Sequence, residues 1–166
     1  MNTFLMLSII GAVFFSTALA ILLILYGIPT SLSESFYNLG GRYGRGYLFY
    51  LMLVITVFLL IIPLVESAQV LGFLTATSLA FVGAAAAFKS DKVQLLVHVG
   101  AALLSAIMAC LTLVTIGQIA MVIPVSIVVL ISALLTRTIK KSCIFWLEMI
   151  PLYSIFIGLI SYFSAC

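Results

Sequence analysis

Residues 47–88 read YLFYLMLVITVFLLIIPLV-ES-AQVLGFLTATSLAFVGAAAAF. Two apolar runs stand on either side of Glu66-Ser67, and Glu66 is the only charge in the whole stretch. A membrane-spanning helix needs about 20 mainly apolar residues, and each run meets that length. The reading is two spans, about 47–65 and 68–88, joined by a tight turn at Glu66-Ser67.

The same pattern extends in both directions. Thr3 to Tyr26 forms an apolar run before it, and a polar stretch, Gly27 to Gly46, separates the two. After it come the turn Lys89-Ser90-Asp91-Lys92 and a run over 93–116. A weak break at Gly117-Gln118 leads to a run over 119–135. The basic turn Arg137 to Ser142 precedes a last run over 143–164. These runs are apolar throughout, without the period-two alternation of a barrel strand, and a helix satisfies its own backbone in lipid. The expected fold class is therefore an all-α integral membrane protein. It is a bundle of six transmembrane helices with short loops, and residues 1–166 form a single transmembrane domain. The weakest boundary is Gly117, where a five-span alternative would make one segment re-entrant.

Composition supports the bilayer as solvent. Hydrophobic residues make up 66% of the chain and charged residues 7%. A soluble domain carries roughly 45–50% apolar and about 25% charged residues. Nothing resembles the clustered Lys/Arg surface that nucleic acid requires. Ala18-Leu19-Ala20 has the look of a signal-cleavage site. No positive region precedes it, however, and the apolar run continues to Tyr26, so the first helix is read as uncleaved. Cys110, Cys143 and Cys166 match no metal spacing, and no cofactor motif is present.

The charges orient the bundle. Arg42, Arg45, Lys89, Lys92, Arg137, Lys140 and Lys141 all fall in the first, third and fifth connections of the six-span arrangement. Lys and Arg are retained in the cytoplasm during insertion, which places those loops there and both termini outside. Small residues mark the packing faces: Gly72, Ala76, Ala80 and Ala84 on the third span, and Ala101, Ser105 and Ala109 on the fourth. Such faces let helices approach closely in lipid, and these two spans are expected to form a tight hairpin.

The candidate functional residues are polar groups at positions where apolar ones cost less. In the first loop, Ser31 followed by Glu34 matches a capping box. Leu32, Phe36 and Leu39 lie at helical spacing before Gly40-Gly41. One reading is an interfacial amphipathic helix; the other makes Ser31, Ser33 and Glu34 a polar lid over a site between helices. Asp91, His98, Ser105 and Thr112 recur every seven residues and share a face of the fourth span. Asp91 also suits an N-cap. His98 lies roughly 10 Å below the membrane face at 1.5 Å per residue; it is either an interhelical hydrogen-bonding group or part of a site. Glu148, seven residues past Lys141, lies at the same depth, and a carboxylate within a span is a functional-site hypothesis by default. Pro151 nearby frees a backbone carbonyl. His98 and Glu148 are expected to pair or to share a small cavity, unless Glu148 only packs.

The segment Ile28-Pro29-Thr30-Ser31-Leu32-Ser33-Glu34-Ser35-Phe36-Tyr37 resembles a first-loop motif of an uncharacterised family of small bacterial six-helix inner-membrane proteins. Phe81-Val82-Gly83-Ala84, His98 with Gly100-Ala101-Ala102, and Trp146-Leu147-Glu148-Met149 resemble later segments of the same family. More distantly, a Ser-Glu first loop with a later Asp…His helix is similar to Frag1/DRAM-like domains. The resemblance implies a bacterial inner-membrane location and groups Ser33, Glu34, His98 and Glu148 together; it implies no reaction.

Four functions compete. The first is binding of a membrane lipid or small amphiphile in a cytoplasmic-side polar pocket, with Arg42 and Arg45 at the headgroup. The second is a small transporter or channel with His98 and Glu148 as a proton or ion relay. The third is an acyl-chain hydrolase or transferase, which lacks a nucleophile motif. The fourth is a non-catalytic assembly subunit, with a second copy or another membrane protein as partner.

Overall fold

The structure is a computed structural model, and it describes residues 2–32, 46–86 and 92–165. Helix α1 (Thr3–Tyr26) begins where the Asn2 side chain accepts the Phe4 N–H at 3.0 Å. It ends at Gly27, whose φ of 76° suits glycine alone. Helix α2 covers Gly46–Ala86 and is interrupted at Ala68 (φ −139°, ψ 16°) and Gln69 (φ 46°, ψ −116°). Helix α3 (Lys92–Thr115) is followed by a 3₁₀ turn, Ile119–Met121, and then by α4 (Val122–Leu135) and α5 (Cys143–Ala165).

Five helices thus stand among the described residues where the sequence suggested six. The difference lies in α2, where the runs 47–65 and 68–88 form one element bent back on itself. A Cβ on Gly72 would collide with the Leu64 carbonyl, and one on Gly83 would come within 3.2 Å of Leu53 Cβ. Residues this far apart in a helix meet only if the chain reverses at the break. The break falls at 68–69 rather than 66–67: the helix runs on through Ser67, whose hydroxyl bonds the Leu64 carbonyl at 3.0 Å. The interfacial helix expected from Ser31 to Leu39 lies, from residue 33 on, outside the described residues.

The expected break at Gly117 is a sharp turn. Gly117 has φ 69°, its N–H donates to the Val114 carbonyl, and the Gln118 N–H donates to the Leu113 carbonyl at 2.8 Å. These two bonds form the Schellman motif that closes many helices.

Contacts set the directions. Phe4 stacks on Phe163 and Phe15 on Phe156, so α1 and α5 are antiparallel and the start of α1 lies beside the end of α5. The Tyr153 hydroxyl bonds Ser16 Oγ at 3.1 Å along the same seam. Gly158 is pressed against Leu113, where α5 meets α3. Phe15, Phe49, Leu60, Leu113, Phe145 and Leu159 are fully buried in one core. The exterior is equally apolar: Ile24, Phe58, Leu96 and Leu135 are 73–83% exposed. Water would not tolerate that surface, whereas hydrocarbon does. Among the described residues four helical segments are long and apolar enough to cross a membrane: Thr3–Leu25, Leu48–Ala84, Leu96–Thr115 and Cys143–Ala165. Ile119–Leu135 is a shorter apolar segment.

Candidate functional site

Glu148 lies in the second turn of α5, half-buried. Its Oε2 accepts the backbone N–H of Leu32 at 2.7 Å. Two residues earlier, the Thr30 carbonyl accepts the Phe145 N–H at 3.1 Å. These hydrogen bonds strap the chain leaving α1 across the N-terminus of α5. The strap uses an α5 N–H that has no partner within its own helix. Leu32 is driven inward and is only 3% exposed.

Beneath Leu32 a cavity of about 210 Å³ opens between α2, α3 and α5. A cavity of roughly 150 Å³ holds a benzene ring, so this one has room for a slender apolar group. Glu148, Leu32 and Ile144 border one end; Thr75, Ala109 and Ile155 border the other. From Ile144 to Ile155 the wall is about 16 Å long at 1.5 Å per residue. Ala102, Ala106 and Ala109 on α3 provide the space. The small residues of the two hairpin partners thus do different things. On α2, Gly72 permits contact with the Leu64 backbone, while on α3 the alanines leave room unfilled.

His98 is buried on the face of α3 that meets α2. Its Nδ1 lies 3.1 Å from the Val82 carbonyl, and its ring sits 6.5 Å from that of Phe49. A carbonyl only accepts, so Nδ1 carries the proton in this contact. Val82 and Phe49 both line the cavity; His98 therefore braces one wall while Glu148 borders another. Ser105 and Thr112, the next members of the seven-residue series, are also buried. Ser105 lines the cavity. Thr112 bonds Thr75 Oγ1 at 2.9 Å near the far end. Thr75 carries no signal in the sequence beyond being a polar residue amid apolar ones.

Of the remaining candidates, Ser31 is half-buried in the strap. Ser33, Glu34, Arg42, Arg45 and Asp91 lie outside the described residues. Among the described residues no group of three or more His, Cys, Asp or Glu side chains could hold a metal ion. The site's chemistry is that of a container: among the described residues, an apolar chamber with hydroxyls at Thr75 and Ser105 and the Glu148 carboxyl group at its end.

Comparison with family models, with curated proteins and with solved structures finds no match.

Proposed function

We propose that this chain is a multi-pass protein of the bacterial inner membrane that holds the apolar part of a lipid or small amphiphile in the cavity between α2, α3 and α5. The observation that carries the reading is the chamber itself: among the described residues it is chiefly apolar, with the Glu148 carboxyl group at one end. A ligand whose hydrocarbon fills the chamber and whose polar end reaches Glu148 matches both features. Six spans follow if α1, the two limbs of α2, α3, the 119–135 segment and α5 each cross once. The seven basic residues then collect on the cytoplasmic side, with both termini outside. In that arrangement the site lies in the cytoplasmic half, with Ser33, Glu34, Arg42, Arg45 and Asp91 in the adjoining loops. A proton or ion relay through His98 and Glu148 draws less support, because the chamber wall between α2 and α5 is chiefly apolar.

Native mass spectrometry of the protein extracted with its lipids tests the proposal. Ala106→Phe fills the chamber and should abolish a tightly retained amphiphile while the protein stays folded. Glu148→Ala should weaken retention without abolishing the chamber. An unchanged set of bound molecules in folded Ala106→Phe refutes it.

A further inference from the structure

A second concavity, of about 400 Å³, lies on the other side of α5, between α1, α4 and α5. Leu19 and Leu23 of α1, Val125 and Val129 of α4, and Met149 and Tyr153 of α5 line it. It runs from Pro124 and Ile157 at one end to Ser132 and Trp146 at the other, about 12 Å along α4. Trp146 is fixed at the mouth by its indole N–H, which donates to Thr138 Oγ1 at 3.1 Å.

Thr138 belongs to the turn that carries Arg137, Lys140 and Lys141. All three cations are exposed, and among the described residues none is ion-paired. Arg137 occupies an unusual position. Its N–H donates to the Leu134 carbonyl and the Thr138 N–H to the Ala133 carbonyl, the same motif that ends α3 at Gly117. Arg137 therefore sits at φ 55°, where glycine is at ease and a side chain is strained. The C-terminal dipole of α4 attracts a cation, but it does not account for Lys140 and Lys141, which lie beyond the last turn.

We propose that this groove and the cationic turn together form a binding site for an anionic phospholipid. One acyl chain lies along the groove, and the phosphate meets Arg137, Lys140 and Lys141. The match is one of charge and shape: cations without an ion-pair partner among the described residues stand at the mouth of an apolar channel. The site shares no lining residue with the chamber at Glu148 and stands independently of it.

The test uses the full chain, delipidated in mild detergent and titrated with phosphatidylglycerol or phosphatidylcholine of matched chains, read by native mass spectrometry. Phosphatidylglycerol should be retained preferentially. The combined Arg137→Gly, Lys140→Gln, Lys141→Gln variant should weaken it by at least about tenfold, and Arg137→Gly alone by about fivefold. Arg137→Gly should not lower the melting temperature, because it relieves the strained φ. Ser132→Trp, which fills the groove, should reduce retention of both lipids. Ala106→Phe, which fills the other chamber, should leave phosphatidylglycerol retention intact. Equal retention of the two lipids by the native chain means annular lipid only and overturns the proposal. So do full retention by the triple variant, a lower melting temperature for Arg137→Gly, and loss of phosphatidylglycerol in Ala106→Phe.

Discussion

Replacing Glu148 with alanine should release the strap that crosses α5. In the native chain Glu148 Oε2 accepts the Leu32 N–H at 2.7 Å, and Leu32 is buried. Removing the acceptor from a buried N–H costs about 1–3 kcal/mol. Local opening at Leu32 should become easier by that amount. Its amide should then exchange with deuterium about ten- to a hundredfold faster. Glu148→Gln keeps an oxygen that can accept the same N–H, so its effect should be much smaller. Hydrogen exchange resolved to the peptide containing Leu32 measures both. The Gln118 amide, bonded to the Leu113 carbonyl outside the strap, serves as the internal control. If it accelerates as much as Leu32, the whole bundle has loosened rather than the strap. Unchanged exchange at Leu32 in Glu148→Ala would refute the reasoning, as would Gln proving as damaging as Ala.

Three further outcomes are expected. Gly72→Ala drives a methyl into the Leu64 backbone and should destabilise the α2 hairpin by about 3 kcal/mol or more, read as a lower denaturant midpoint in detergent. Gln69→Gly should raise stability by about 1 kcal/mol, because φ 46° with ψ −116° is a conformation glycine adopts freely; a lower melting temperature counts against this. A double-mutant cycle of Thr75→Val and Thr112→Val should give a coupling of about 0.6 kcal/mol, from the single hydroxyl contact between them.

Much of the fold was legible because lipid imposes a length on apolar runs that water does not. The starts and ends of α1, α3 and α5 follow the sequence closely for that reason. The turn in α2 falls at Ala68-Gln69, two residues beyond Glu66-Ser67, because the polar residues at 66, 67 and 69 mark an interval and not a single break. The seven-residue series through His98, Ser105 and Thr112 correctly marked one buried face, since helical periodicity is local. The Glu148–Leu32 bond joins residues 116 apart, and no local pattern announces such a partner. Nor could the sequence say that the alanines of α3 leave a chamber while Gly72 closes a contact. That depends on what stands opposite, which only the tertiary arrangement decides.

The pairing of the first helix with the last has a consequence in time. Phe4, Phe15 and Ser16 of α1 find their partners on α5 at Phe163, Phe156 and Tyr153. The last residue of α1 and the first of α5 are about 117 residues apart, so at roughly 5–20 residues per second of synthesis α1 waits roughly 6–23 s for α5 to emerge. Through that interval its aromatic seam is covered by lipid or by a neighbouring protein. A ribosome that stalls before Cys143 therefore leaves in the membrane a nascent chain with an open seam, ready to accept any helix that offers aromatic side chains at the same spacing.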